Sequence, residues 1–203
     1  RAGWINPLVI NQNEDVQFWI SVSGVTAEEN FGYLLSQNLK INGYPQDSIA
    51  LLVDEWKAGT KISHSGKSYR AYLEATKNLN TNSFLRRFSN GAVTEEAYYR
   101  YQKQFMTESL DEKTSLQSYL PDFDSKLAAI KCPVLALFGE KDMHVDWRKT
   151  KRLYEQTLAP NGNLTVLSFP DCNHNMFACE TGGFFEMEDD ELPFDRCDGF
   201  LAA

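Results

Sequence analysis

The stretch KCPVLALFGEKDMHVDWRKTKRLYEQTLAPNGNLTVLSFPDCNHNMF, residues 131–177, decides the fold of this chain. Two short apolar runs, residues 133–138 and 164–169, enclose an amphipathic segment, residues 147–158. Short apolar runs joined by a helix of this length are typical of a βαβ unit with parallel strands. The sequence therefore predicts the α/β class, with a parallel sheet and flanking helices.

Two polar residues follow the predicted strands of this unit. Asp142 comes shortly after the first strand and His174 shortly after the second, 32 residues further on. The carboxyl ends of parallel strands meet at one edge of a sheet, so both side chains should emerge there. A carboxylate in that position can hold a histidine as a general base. The spacing alone leaves open that Asp142 caps the following helix and that His174 is an ordinary loop residue.

Three other residues compete for a role in a site at this edge. His144 lies on the same loop as Asp142, and we expect it to point away from the histidine strand, as a rim residue. His64 stands in the loop GTKISHSGKS and is expected at the surface. Ser23 ends a predicted strand, residues 16–22, but SVSGV has no glycine two positions before the serine, which argues against a nucleophile.

The start of the chain and the two site loops together resemble a known family. RAGWINPLVI, residues 1–10, resembles the segment that follows the nucleophile elbow G-x-S-x-G in α/β hydrolases, with Ala2 and Gly3 as the small residues of that turn. The sequences GEKD, residues 139–142, and P-x-x-x-H, residues 170–174, resemble the acid and base loops. HNMFACETGG resembles the H-x-x-F and TG elements of esterase-like and serine-aminopeptidase-like branches. By itself, residues 1–10 could also be an ordinary helix start.

The resemblance implies a serine hydrolase that acts on ester, thioester or amide bonds. His174 would be the base, Asp142 would orient it, and the backbone N–H of Arg1 would help to hold the oxyanion. The serine would stand one position before Arg1. The chain is thus expected to be the C-terminal part of the fold and inactive alone, with the missing half or a second chain covering an open sheet edge. A small acyl substrate is implied, and no metal or organic cofactor.

The rest of the chain completes the predicted organisation. Residues 1–25 and 121–203 are assigned to the hydrolase core, which closes with a helix beginning at residues 197–200, and residues 26–120 to a helical lid. Within the lid, apolar residues at helical spacing predict helices at residues 28–39, 46–58, 67–79 and 94–107, and no strand. Most of the lid aromatics are expected to pack helices together, and a few to line an acyl pocket.

Composition excludes several classes of function. The chain has 203 residues, of which 42% are hydrophobic and 24% charged, so it can bury a sizeable core. Its net charge of -8 argues against nucleic acid. The acidic run at residues 186–191 is expected on a solvated face. No apolar run is long enough to span a bilayer, which predicts a soluble chain with the compartment open and the cytoplasm slightly favoured.

The cysteines show no C-x-x-C spacing, so a zinc site is not predicted. Cys132 begins a strand and should pack as a small apolar residue. Cys172 and Cys179 flank His174, and a disulfide between them is one option.

Two alternatives to a serine hydrolase stay open. The scaffold could serve as a non-catalytic binding module, because folds host many functions. An aspartate or cysteine could also replace the serine, giving dehalogenase-like or dienelactone-hydrolase-like chemistry. In each case the residue before Arg1 decides.

Overall fold

The computed structural model describes residues 2–88, 93–106, 109–110, 117–118, 120–186 and 195–203. In chain order the elements are α1 (Ala2–Gln12), β1 (Trp19–Val22), α2 (Phe31–Ile41), α3 (Gln46–His64), α4 (Tyr69–Ala75), α5 (Ser83–Phe88), α6 (Glu95–Phe105), β2 (Ser109–Leu110), β3 (Gln117–Ser118), α7 (Phe123–Ala128), β4 (Val134–Gly139), α8 (Trp147–Thr157) and β5 (Leu164–Phe169), with short 3-10 helices at Ala159–Asn161 and Phe200–Ala202. No helix in these ranges is long and apolar enough to cross a membrane.

The chain divides into two compact units. One joins Arg1–Asn38 to Leu120–Ala203 and contains the sheet, and the other is Leu39–Tyr119. This division groups residues 26–38 with the sheet, whereas the predicted lid begins at residue 26. A lid role for the helical unit stays a prediction.

The sheet unit has three parallel strands in the order β1-β4-β5. The predicted strands and connecting helix are confirmed to within a few residues. Because β4 pairs with β5 from Val134 opposite Leu164 to Gly139 opposite Phe169, both strands end at one level. The loops that carry Asp142 and His174 therefore start side by side.

One face of the sheet is packed by helices. Trp19, Ala136 and Phe138 are buried there, and Tyr154 and Leu158, from α8 and its end, lie against them. Cys132 also packs against this core, as predicted. Burial of several large apolar side chains at roughly 1.5–3 kcal/mol each is the main stabilising term of such a unit.

The opposite face of β1 is open. Ile20 and Val22 are 49% and 44% exposed. Their partners on β4 are Leu135 and Leu137, and Leu137 is buried. On the far side of β4, Leu167 of β5 is 38% exposed. Strands of parallel sheets are normally covered on both faces. The expectation that the missing half or a second chain covers an open sheet edge stays a prediction.

The helical unit differs in detail from the prediction. Helix α3 runs six residues past the expected end at residue 58, because its last turns pack against α4 and α6. Helix α4 stops early, because the buried Glu55 carboxylate accepts the N–H groups of Asn78 and Leu79. Helix α5 was not predicted.

Of three further expectations, two need correction and one stays open. The prediction of no strand in the lid is wrong: β2 and β3 form an antiparallel ladder, too short for alternation to signal it. In place of the expected α-helix at residues 197–200, the structure has the 3-10 helix Phe200–Ala202. Most of the acidic run at residues 186–191 lies outside the described residues.

Candidate active site

Asp142 lies three residues beyond β4, and its carboxylate is enclosed, with the side chain 1% exposed. One oxygen, Oδ1, accepts the backbone N–H groups of His144 and Val145 at 2.8 and 2.9 Å. The other, Oδ2, lies 2.8 Å from Nδ1 of His174. The N-cap of α8 is Asp146, which accepts the N–H of Lys149, so Asp142 is not the helix cap.

His174 follows β5 and faces the carboxylate through Nδ1. Because an ionised carboxylate only accepts hydrogen bonds, Nδ1 carries the proton and Nε2 is left to accept one. The imidazole is 29% exposed, in contrast to its enclosed partner. The arrangement thus holds a histidine in the tautomer that can act as a general base.

The backbone of the histidine loop is held by Ser23 at the end of β1. Ser23 Oγ donates to the main-chain oxygen of His174 at 2.5 Å. Ser23 is buried and has φ of 49°, an unusual left-handed value for a residue with a side chain. Ser23 therefore binds the main-chain carbonyl of His174, and its hydroxyl supports the histidine loop.

The two loops approach each other at Gly139. A Cβ on Gly139 would lie 2.5 Å from the main-chain oxygens of Cys172 and Asn173. The N–H of Lys141 donates to the oxygen of Cys172 at 2.9 Å, which continues the contact past the strands. Only glycine at this position allows the acid and histidine loops to pack backbone against backbone.

The expectation that His144 points away from the histidine strand is wrong. Its ring stacks on the ring of His174, with centroids 5.1 Å apart and planes inclined by 17°. The two backbone N–H bonds to Asp142 fold the loop back and carry the side chain of His144 over its neighbour. Burial, and then the proximity of His174, lower the pKa of His144, while Asp142 raises it.

Two side chains of α2 bind the main chain of the loop that carries Asp142. The hydroxyl of Tyr33 donates to the main-chain oxygen of Asp142 at 3.1 Å. Burial, with smaller effects of Asp146 and Asp142, raises the pKa of Tyr33 to about 12, so the hydroxyl keeps its proton. Asn38, 1% exposed, donates to the oxygen of Met143 at 3.3 Å and accepts the N–H of Phe184 at 2.6 Å.

In the segment after His174, the carboxylate of Glu186 binds the backbone of residues 180–182. Glu186 accepts the N–H groups of Glu180, Thr181 and Gly182 at 2.5, 3.0 and 2.7 Å. Although burial raises the pKa of Glu186, the hydrogen bonds from Thr181 and from these backbone groups bring it below its ordinary value. Gly182, with φ of +73°, lies so close to the carbonyl of Lys141 that a Cβ would overlap it.

A disulfide holds the other side of the histidine loop. Cys172 bonds to Cys197, so the pairing with Cys179 considered from the sequence is wrong. The sequence offered Cys179 only as one option. The backbone folds the C-terminal segment onto Met176, whose oxygen accepts the N–H of Cys197 at 3.3 Å. Cys179 is a free thiol, and burial, followed by Glu186, raises its pKa to about 11.

The remaining predicted residues lie elsewhere. His64 is the last residue of α3 and half-buried, with Nδ1 3.0 Å from the oxygen of Thr60, so the expectation of a surface loop is wrong. Helix α3 continues through residues 59–64, which the Gly- and Ser-rich sequence GTKISHSGKS had placed in a loop. Arg1, expected to supply an oxyanion N–H, lies outside the described residues.

Comparison with known proteins agrees with this fold. The model of the dienelactone hydrolase family matches residues 119–194, the segment that contains both Asp142 and His174. Residues 119–194 are thus similar to a family of α/β hydrolases, and the three parallel strands fit part of that fold.

Among solved structures, the chain is similar to the proline iminopeptidase of Mycobacterium smegmatis, with 16% sequence identity and a TM-score of 0.40. The alignment covers 85% of this chain and 55% of the peptidase, so the chain spans about half the length of that structure. No curated protein matches this chain.

Several residues around the site were not found from the sequence: Tyr33, Asn38, Phe184 and Glu186. Tyr33 and Asn38 fall in the stretch assigned to the lid, and their hydrogen bonds reach more than 100 residues along the chain. Nothing in their spacing points to such partners. The TG element was noted, but only the fold reveals Glu186 as the group that it binds.

Proposed function

We propose that this chain is part of an α/β hydrolase that cleaves carboxylic ester, thioester or amide bonds through a covalent acyl-enzyme. One observation carries the proposal: the enclosed carboxylate of Asp142 faces Nδ1 of His174 at 2.8 Å, at the carboxyl ends of adjacent parallel strands. A buried acid and a partly exposed histidine in this relation are the acid and base of a nucleophilic triad.

In this mechanism Nε2 of His174 removes the proton from the nucleophile as it attacks the substrate carbonyl. The imidazolium that forms is stabilised by Asp142, whose other oxygen accepts two backbone N–H groups. The histidine then gives the proton to the leaving group. Water, activated by the same histidine, releases the acyl group.

The nucleophile is proposed from the resemblance of residues 1–10 to the segment after the elbow. A serine directly before Arg1 in the gene product would attack, and the N–H of Arg1 would bind the oxyanion. Small acyl compounds, including cyclic esters of the kind named in the matched family, are the proposed substrates.

The test uses the whole gene product, characterised by intact mass and N-terminal sequence, and a fluorophosphonate probe. We expect covalent labelling of the serine before Arg1 and hydrolysis of a p-nitrophenyl ester. His174→Ala should abolish both, while His64→Ala, a matched histidine in the other unit, should leave both unchanged. Labelling that survives His174→Ala would contradict the proposed base.

A cysteine nucleophile is the second candidate, favoured by the match to the dienelactone hydrolase family. In that case iodoacetamide would modify the residue before Arg1 and inactivate the enzyme, and the fluorophosphonate would not label it. If neither reagent modifies that residue and no ester is cleaved, the chain belongs to a non-catalytic binding module.

We propose further that another segment or chain packs on β1. The support is the exposure of Ile20 and Val22, because strands of a parallel sheet are normally covered on both faces. Ile20→Lys should reduce recovery of folded gene product or of its complex, measured by size-exclusion chromatography, more than a lysine at the exposed Leu201 does.

A further inference from the structure

We infer that His144 and Phe184 are positioning residues that fix the ring plane of His174 through a continuous aromatic stack. The inference rests on the proposed role of His174 as the base. It adds two residues that take no part in proton transfer but set the direction in which Nε2 points.

The stack consists of three rings. His144 lies between His174, at 5.1 Å and 17°, and Phe184, at 5.2 Å and 23°. These distances and angles are those of offset-stacked aromatic pairs, which are attractive beyond the area that they bury. Phe185 meets Phe184 edge to face at 5.1 Å and continues the packing beyond the stack.

The middle ring, His144, and the outer ring, Phe184, are both anchored through their main-chain N–H groups. The N–H of His144 is bound by Asp142, so the acid that orients His174 also places the ring that covers it. The N–H of Phe184 is bound by the buried side chain of Asn38, which also holds the loop at Met143. The position of the stack is thus fixed by hydrogen bonds that do not involve the aromatic side chains.

A single hydrogen bond at Nδ1 leaves the imidazole free to swing about that contact. A ring stacked on its face restricts this motion, because tilting His174 would separate the two planes. The effect on Nε2 is geometric: a misplacement of the order of 1 Å at a reacting atom lowers the rate steeply.

The charge state of His144 agrees with this role. Burial lowers the pKa of His144 most, His174 lowers it further, and Asp142 raises it without reversing the shift. His144 is therefore neutral at pH 7 and adds no positive charge beside the imidazolium of His174.

Three variants of the whole gene product test the stack. His144→Ala removes the covering ring, His144→Phe keeps a ring without nitrogen atoms, and Phe184→Leu keeps His144 but removes the ring behind it. None removes the backbone N–H groups that bind Asp142 and Asn38. The control is His64→Ala, a half-buried histidine outside the sheet unit.

The first measurement is the low-field proton NMR resonance of the His174 Nδ1–H bond, which needs no nucleophile. We expect it to be sharp in the wild type and in His144→Phe, and broadened or lost in His144→Ala. The second is ester hydrolysis, in which His144→Ala should lower kcat about 3- to 10-fold with KM within about twofold. His144→Phe should restore kcat, and Phe184→Leu should give an intermediate loss.

The inference is overturned if His144→Ala leaves the resonance and kcat unchanged, or if His144→Phe is as impaired as His144→Ala. If His144→Ala does not fold, the other two variants decide. Wild-type kcat in His144→Phe and a reduced kcat in Phe184→Leu support the inference, and unchanged kcat in Phe184→Leu overturns it. The two proposals fail separately. If the variants change the His174 resonance as expected but the wild type cleaves no ester, the proposed function is refuted. If the wild type cleaves esters but the variants change neither the resonance nor kcat, the role of the stack is refuted.

Discussion

The loops that follow β4 and β5 lie side by side but are held in different ways. The acid loop, residues 139–146, is closed by Asp142 itself, whose carboxylate binds the N–H groups two and three residues further on. The histidine loop, residues 170–186, is tied to distant parts of the chain: by a disulfide to Cys197, by Ser23 at the end of β1, and by Asn38 of α2.

This difference separates the two halves of the proposed dyad. The carboxylate of Asp142 is closed by N–H groups of its own loop, and the outside support of that loop comes from Tyr33 and Asn38 of α2. The histidine loop depends on contacts from three other segments. Perturbing the disulfide or Ser23 should move His174 with little effect on Asp142, whereas Asn38 binds both loops. Four experiments test this contrast.

The largest effect is expected at the acid loop itself. Asp142→Asn should lower kcat about 10³- to 10⁴-fold, because an amide cannot both orient and stabilise the imidazolium. It keeps an oxygen for the N–H groups of His144 and Val145, so stability should change little. Asp142→Ala should lose a similar rate and also about 1–3 kcal/mol of unfolding free energy in urea, since buried N–H groups lose their acceptor. Asp142→Asn that keeps a tenth of the activity would refute the acid assignment.

Reduction of the disulfide should affect the histidine loop alone. The bond closes a loop with a sequence separation of 25, and its loss should cost about 3.5 kcal/mol by the loop-closure relation. We expect dithiothreitol to speed hydrogen exchange at Met176 and Cys197, with little change at His144 and Val145. The double variant Cys172→Ser/Cys197→Ser should not respond to the reagent. Equal loosening of both loops would remove the contrast between them.

The contact between the loops can be tested with two glycines of similar backbone conformation. Gly182 and Gly162 have φ of +73° and +70°, but a Cβ on Gly162 meets nothing within 4 Å. Gly162→Ala should cost about 1 kcal/mol for the left-handed conformation. Gly182→Ala should cost about 3 kcal/mol, because the methyl group also displaces the carbonyl of Lys141. Equal costs in urea unfolding would show that the contact adds nothing.

The smallest effect is expected at Ser23. Ser23→Ala removes the donor to the carbonyl of His174 and should cost about 1 kcal/mol. Ser23→Gly loses the same bond but relieves the left-handed strain at φ of 49°, so its stability should lie about 1 kcal/mol above that of the alanine variant. The two variants behaving alike in urea would mean that the strain is negligible.

Much of the fold followed from pattern alone. The apolar runs of β4 and β5 and the amphipathic face of α8 are local features, and the ends of these elements were predicted to within a residue. The helical unit was less predictable, because α3 and α4 end where Glu55 and interhelical packing dictate. Propensity is weak where such tertiary contacts compete with it.

The same limit applies to the histidines and cysteines. His144 was expected to point away from His174, and Cys172 to have Cys179 as its potential partner, because sequence distance was the available guide. In the structure the loop folds back over Asp142, and the C-terminal segment brings Cys197 to Cys172. Neither contact leaves a periodic signal in one sequence.

The sequence by itself determined the parallel strands and the order of acid and histidine along the chain, because hydrophobic periodicity and strand direction act over a few residues. Only the tertiary structure decided how His174 is held: the pairing of Cys172, the hydrogen bond from Ser23 and the stack on His144 and Phe184. These contacts join residues far apart in the chain, and they form only once the sheet has brought its loops together.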